Sequence, residues 1–218
     1  MMGRCFCVLW PTAYAGSVTA NPDRSAPTRE RDGIHWVVGT SADVAWINDG
    51  TTSGLEITSG IPPIYPAYCT LELPDREQEK GQERHDRGVI ELLSAHGGPQ
   101  TWWLGYLETG PDQDVVFRDA PRVTLYAGWH YVLVEAGPQQ AATWRGYAWD
   151  GPWKGPLPDL MFPADRSWLV STLWDDDWTC IGGSEPMVAA FLHHPEVGAR
   201  ARRVALGEDA TPPGHVAR

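Results

Sequence analysis

Residues 162–184 limit the fold of this chain more than any other stretch. Two apolar segments, 167–173 and 179–181, flank the acidic run Asp175–Asp177, and Ser184 precedes an amphipathic pattern. Aspartates between apolar segments are typical of a tight turn, because their side chains bond to nearby backbone amides. A serine in front of an apolar periodic run is typical of a helix N-cap. The stretch therefore predicts a strand, a turn, a second strand and a helix.

Short apolar or alternating segments elsewhere predict a sheet with few helices. Further strands are predicted at 34–38, 44–47, 54–58, 101–109, 122–126, 130–135 and 202–206. Helices are predicted from within the charged stretch 75–88 to about Ala95, from Pro138 to about Trp144, and after Ser184. Residues 151–163 are predicted to be a Gly/Pro loop. Most strand pairs are joined by short loops and no βαβ repeat occurs. The prediction is a single α+β domain with a mostly antiparallel sheet and about three flanking helices.

The two ends of the chain differ in composition from the middle. Residues 16–33 contain almost no large apolar side chain and cannot bury enough surface to order themselves. The expected organisation is a disordered leader at 1–33, a globular domain at 34–206 and a disordered tail at 207–218. The apolar run 5–10 is shorter than the core of a secretory signal and is followed by a proline. Whether residues 1–33 include a weak signal peptide is left open.

Charge, hydropathy and cysteine content limit which partners and which cellular compartment are expected. The net charge of −11 argues against binding a nucleic-acid backbone and is compatible with a partner that has a basic surface. No apolar run is long enough to span a membrane. The four cysteines form neither a disulfide framework nor a zinc-ligand pattern. We therefore expect a cytoplasmic protein with reduced thiols, and the oligomeric state is left open.

Three polar motifs were compared with known chemical sites, and each lacks the required spacing. Asp175–Asp177 is followed by neither the glycine nor the distal glutamate of a calcium-binding loop. Gly182-Gly183-Ser184 fits neither a phosphate-binding loop nor a nucleophile elbow, which needs Gly-x-Ser-x-Gly. His193 and His194 are adjacent, whereas metal ligands on a helix are three or four residues apart. The sequence indicates no catalytic residue, no metal and no cofactor, and it favours a protein that is not an enzyme.

Tryptophan is the most unusual component of this chain, with twelve residues. Adjacent residues on a strand point to opposite faces, so one of Trp102 and Trp103 leaves a one-sided core. Aromatic side chains in loops often contact ligands. The predicted binding residues are Trp103, Trp129, Trp149, Trp153, Asp165 and Arg166.

The segments Asp165–Thr172 (DRSWLVST) and Thr179–Ser184 (TCIGGS) carry a resemblance. Together they resemble an uncharacterised tryptophan-rich family common in high-GC bacterial genomes. The likeness covers about the C-terminal quarter of the chain and implies no catalytic residue. Some such proteins look like toxin-immunity or partner-binding modules of the SMI1/KNR4 type, which implies a partner-binding role through analogy of fold.

Two functions follow as hypotheses. The first is a non-enzymatic protein-interaction module of the immunity or regulatory type, which binds through an acidic surface that bears aromatic side chains. The alternative is a small-molecule-binding protein, or an unrecognised enzyme, with an aromatic-lined cleft beside residues 151–163. The polar groups expected in that cleft are Glu135, Asp150, Asp159, Asp165 and Arg166. A flat aromatic patch favours the first hypothesis and a concave cavity favours the second.

Overall fold

The fold is seen in a computed structural model that describes residues 26–74, 79–108, 116–144, 156–173 and 176–216. The described residues form fourteen regular elements: β1 (Thr28–Arg31), β2 (Ile34–Val37), α1 (Ser41–Gly50), β3 (Ala67–Glu72), α2 (Glu79–Gly97), β4 (Trp102–Leu107), β5 (Val123–Leu125), β6 (Trp129–Ala136), α3 (Pro138–Thr143), β7 (Leu160–Pro163), β8 (Leu169–Ser171), β9 (Trp178–Gly183), α4 (Glu185–His193) and β10 (Ala201–Arg203). Eight strands form one antiparallel sheet in the order β10-β3-β9-β8-β7-β4-β6-β5, and β1 pairs with β2. The predicted α+β class with a mostly antiparallel sheet is confirmed.

Both faces of the sheet are buried, because side chains alternate between two hydrophobic layers. Trp102, Leu104 and Ile181 point to the face covered by α2, α3 and α4, which we call the helical face. On the opposite face, Leu133 and Phe162 meet side chains from α1 and from the connection 51–66. We call this the second face. A sheet buried on both sides explains why so many tryptophans are core residues.

The two strands and the helix predicted within 162–184 are confirmed as β8, β9 and α4, and Asp175 of the predicted acidic turn lies outside the described residues. Trp168 is fully buried and packs edge-on against Trp102, with ring centroids 4.9 Å apart. Ser184 caps α4, and its hydroxyl oxygen accepts a hydrogen bond from the Met187 amide at 3.4 Å. The glycine pair before Ser184 forms the end of β9. A Cβ atom at Gly182 would lie 2.5 Å from the Tyr65 ring, so a larger residue does not fit there. This glycine therefore allows close packing within the second face.

Three local predictions were wrong. Residues 44–47, predicted as a strand, lie in α1, where Val44 and Ile47 are buried at helical spacing. Residues 54–58, predicted as a strand, lead into a short 3-10 helix at Ile57–Ser59. The predicted loop 151–163 ends in strand β7, which pairs with β4 and β8. In all three cases tertiary packing outweighs local propensity.

Ordered structure extends past both predicted domain boundaries. At the N-terminal end, β1 begins at Thr28, inside the leader that composition predicted to be disordered, and residues 1–25 lie outside the described part. At the other end, Ala210 is buried and its amide donates to the Leu55 carbonyl at 2.7 Å. Both stretches gain order by pairing with other segments, which a composition argument does not capture. No helix among the described residues is both long and apolar enough to cross a membrane.

Candidate functional site

Half-buried and exposed side chains gather at one end of the second face. Trp103 on β4 lies between Glu135 on β6 and Phe162 on β7 in the register of the sheet. Its indole ring stacks on the buried Phe162 ring, with centroids 6.4 Å apart and an interplanar angle of 26°. Trp103 is only partly buried, so part of this indole faces solvent. The sheet register thus places an aromatic side chain at the surface on a rigid base.

Helix α1 adds a second tryptophan to this base. The Trp46 ring packs edge-on against Phe162 at a centroid distance of 5.4 Å. Like Trp103, Trp46 is half-buried. The Trp46 indole N–H donates to the Asp43 carbonyl at 3.1 Å, which fixes the ring against its own helix. Two tryptophans therefore contact one buried phenylalanine, an arrangement typical of a rigid aromatic anchor.

The β7–β8 turn places two charged side chains beside the tryptophans. Arg166 has a positive φ of 58°, and its guanidinium lies 5.2 Å from the centroid of the Trp46 ring. This distance is typical of a cation–π contact. The Asp165 amide donates to the Gln100 side-chain oxygen at 3.0 Å, which holds the turn near β4. We define the aromatic patch as Trp46, Trp103, Phe162, Asp165 and Arg166.

Asp165 presents a negative charge at the edge of the patch. Burial alone would raise the pKa of its carboxyl group, but hydrogen bonds from the Gln100 side chain and from Ser167 outweigh burial and lower the pKa. The Ser167 amide donates to this carboxylate at 2.9 Å. The patch therefore carries a fixed carboxylate and a fixed guanidinium, both exposed to solvent.

The structure brings three of the six predicted binding residues together: Trp103, Asp165 and Arg166. Trp129 lies on the same face, but it is six residues from Glu135 along β6, a separation of about 20 Å at strand spacing. Trp149 and Trp153 lie outside the described residues.

The five polar groups of the small-molecule hypothesis do not share one cleft within the described part of the chain. Glu135 lies in register with Trp103 and accepts a hydrogen bond from the Thr101 hydroxyl at 2.6 Å. Asp159 precedes β7, whereas Asp165 and Arg166 follow it, so the strand separates them by about 13 Å. Asp150 lies outside the described residues.

Sequence reasoning missed Trp46 and Phe162 as members of the patch. A signal for Trp46 was present, because Thr40-x-x-Asp43 matches a helix capping box. In the structure, the Asp43 carboxylate accepts hydrogen bonds from the Thr40 amide at 2.7 Å and from the Thr40 hydroxyl at 2.8 Å. No comparable local signal predicts that Phe162 supports both tryptophans, because that depends on strand register.

The buried hydroxyl and thiol groups of the second face are held in their protonated forms. Tyr126 shares a 2.7 Å hydrogen bond with Ser171, and burial raises the pKa of this tyrosine. Burial also raises the pKa of the Cys180 thiol to about 12. A thiol with such a pKa is a poor nucleophile at neutral pH. The described residues also contain no group of three His, Cys, Asp or Glu side chains close enough to hold a metal ion.

The chain that covers the second face carries charge of one sign. Residues 39–66 contain Asp43, Asp49 and Glu56 and no lysine, arginine or histidine. Asp49 and Glu56 are exposed. Of these three, only Asp43 lies beside the aromatic patch, one turn before Trp46. Together with Glu135, in register with Trp103, and with Asp165, it gives the patch more negative than positive charge, which Arg166 offsets only in part.

No protein-family model, no curated protein and no solved structure matches this chain.

Proposed function

We propose that this protein is a non-enzymatic interaction module that binds a protein partner with a basic surface through the aromatic patch. The observation that carries the proposal is the pair of half-buried indoles, Trp46 and Trp103, fixed on Phe162 beside the exposed Arg166 and Asp165. Tryptophan and arginine are the residues most enriched among those that dominate binding energy at protein interfaces.

Electrostatics support a cationic partner. Asp43, Glu135 and Asp165 lie on the elements that carry the patch, and the net charge of the protein is −11. Such a field steers a basic protein toward the patch and speeds association, more strongly at low salt. Regulatory and immunity-type proteins act by occupying a partner rather than by catalysing a reaction, so a role of this type fits binding through the patch.

The test is a comparison of variants in a quantitative affinity capture from the native host. We expect the wild-type protein to retain at least one basic protein, and Trp103→Ala and Arg166→Ala to lose it. With that partner purified, each substitution should weaken binding by about 30-fold, the effect of removing a dominant interface side chain. Titration calorimetry measures the affinity, and thermal melting checks that each variant is folded.

Trp129→Ala is the matched control, since Trp129 is also half-buried on the second face but lies about 20 Å from Trp103 along the strand direction. It should retain the partner. If no retained protein depends on Trp103 or Arg166, the patch is not the binding surface and the proposal fails.

A further inference from the structure

A cavity lies on the second face at the end of the sheet opposite the aromatic patch. Its volume is about 140 Å³. Described residues from three separate parts of the chain line it: Gly54, Leu55 and Ser59, then Leu173, Asp176, Trp178 and Cys180, and finally Ala210 and Thr211. The C-terminal segment is fixed there by the hydrogen bond from the Ala210 amide to Leu55 and by a β-bridge between Glu56 and Asp209. The walls are therefore held by backbone contacts.

The surface of the cavity combines apolar walls with a few oxygen acceptors. Leu55, Leu173 and Trp178 contribute apolar surface, and Ser59 and Thr211 contribute hydroxyl groups. An apolar protein cavity of roughly 150 Å³ accommodates benzene. The volume therefore suits a body of about six to eight heavy atoms with one polar group.

The charge inside this cavity is negative. Among the described residues that line it, only Asp176 carries charge. Cys180 also lines the cavity. Burial is the main reason that the pKa of its thiol is raised, and the Asp176 carboxylate raises this pKa further. Two basic side chains lie behind these walls, and both face carboxylates: Arg202 donates to the Thr211 carbonyl at 3.3 Å and pairs with Glu208 at 2.6 Å, and His215, which packs against Trp178, lies 2.6 Å from the Asp177 carboxylate. A cationic ligand is thus favoured over a neutral one and an anionic one is disfavoured.

From this combination we propose that the cavity binds a small organic cation: a primary ammonium group on an apolar, ring-sized body. The ring lies among Leu55, Leu173 and Trp178, and the ammonium group faces Asp176 and the hydroxyl groups of Ser59 and Thr211. Tryptophan and a carboxylate together are a common combination for recognising organic cations. This site is separate from the aromatic patch, so either can fail without the other.

The probe is benzylammonium, and benzyl alcohol is its neutral counterpart of nearly the same size. Titration of isotope-labelled protein at constant ionic strength, followed by amide chemical shifts, should move the signals of residues 54–59, 176–180 and 210–211. Asp176→Asn should weaken benzylammonium binding by about tenfold, since it removes the charge and keeps the size of the side chain. The wild-type protein should bind benzyl alcohol no more tightly than the Asp176→Asn variant binds benzylammonium.

Asp177→Asn is the matched control, because it makes the same change in net charge one residue away. Asp177 does not line the cavity, and its carboxylate lies 2.6 Å from the His215 ring. It should leave benzylammonium affinity unchanged within about twofold. The proposal is overturned if no shifts occur at 20 mM probe, taken as roughly the upper limit for a specific weak site. The proposal is also overturned if the wild-type protein binds benzyl alcohol as tightly as benzylammonium, or if Asp176→Asn and Asp177→Asn weaken benzylammonium binding equally.

Discussion

At the scale of single residues, Asp159 is a carboxyl group whose ionisation depends on the fold. Its carboxylate accepts a hydrogen bond from the Leu107 amide at 2.8 Å, and its own carbonyl accepts one from the Thr172 amide at 2.7 Å. Burial raises the pKa of this carboxyl group from 3.8 to about 6, although the Leu107 amide acts in the opposite direction. The carboxyl group therefore holds its proton up to a higher pH in the folded protein than in the unfolded chain.

Replacement of this carboxyl group should alter how stability depends on pH. A folded-state pKa above the unfolded value means that the stabilising contribution is complete below about pH 4 and is lost as pH rises through 6. Asp159→Asn should match the wild type near pH 4 and exceed it by about 3 kcal/mol at pH 7.5, because a shift of one pKa unit corresponds to 1.36 kcal/mol. Urea unfolding at several pH values measures both free energies of unfolding.

Asp165→Asn is a suitable comparison for that experiment, since the pKa of Asp165 is lowered and its side chain is exposed. Asp165→Asn should be slightly less stable than the wild type at neutral pH, and this difference should disappear at acidic pH, where the wild-type carboxylate is protonated. Parallel pH profiles for wild type and Asp159→Asn would show that Asp159 is ionised at little cost in the folded protein.

At the scale of elements, helix α1 shows where sequence patterns are sufficient and where they are not. Strands β4 and β6 were predicted because their apolar runs leave little choice of conformation. In α1, Val44, Trp46 and Ile47 have strand-type propensity, whereas Ala42 and Ala45, the cap at Thr40 and the contacts with the sheet favour a helix. The same limit applies to the candidate site. Its members Trp103, Asp165 and Arg166 were predicted singly, but their convergence depends on sheet register.

The cap of α1 should matter for both stability and the aromatic patch. Asp43→Ala removes the two hydrogen bonds from Thr40 and should cost about 1 kcal/mol. For a domain of this size that corresponds to a melting temperature about 2–4 °C lower, measurable by calorimetry. Asp49→Ala, in the last turn of the same helix, is the control. It should be neutral or slightly stabilising, because a negative charge is unfavourable near a helix C-terminus. A loss of stability as large for Asp49→Ala as for Asp43→Ala would contradict the capping role.

At the scale of the whole molecule, the C-terminal segment completes the second face. Arg202 on the edge strand β10 pairs with Glu208 and donates to the Asp209 carbonyl at 2.8 Å. Val204 and Ala210 are buried beside this segment. Ala210 thus contributes to the core, although the composition of 207–218 predicted a disordered tail.

Two truncations separate the part of this segment that supports the core from the part that follows it. A chain ending at Leu206 loses the Ala210–Leu55 hydrogen bond and the Glu208 ion pair, and it should lose about 2 kcal/mol or more of unfolding free energy. A chain ending at Thr211 keeps both contacts and should lose less than half as much. Urea midpoints of the three proteins decide the order. Equal losses in the two truncations would assign the stabilisation to residues after Thr211.

The strand order of the large sheet also determines when the protein can fold during its synthesis. The consecutive strands β7, β8 and β9 lie between β3 on one side and β4, β6 and β5 on the other. Until residues 160–183 have left the ribosome, β3 has no neighbour in the sheet, and its apolar side chains Ala67, Cys69 and Leu71 have no complete core to enter. Closing contacts between such distant segments is slow because of the entropy lost in forming long loops. The large sheet is therefore expected to close only after residues 160–183 have been translated, and until then β3 is a hydrophobic strand exposed to chaperones and to aggregation.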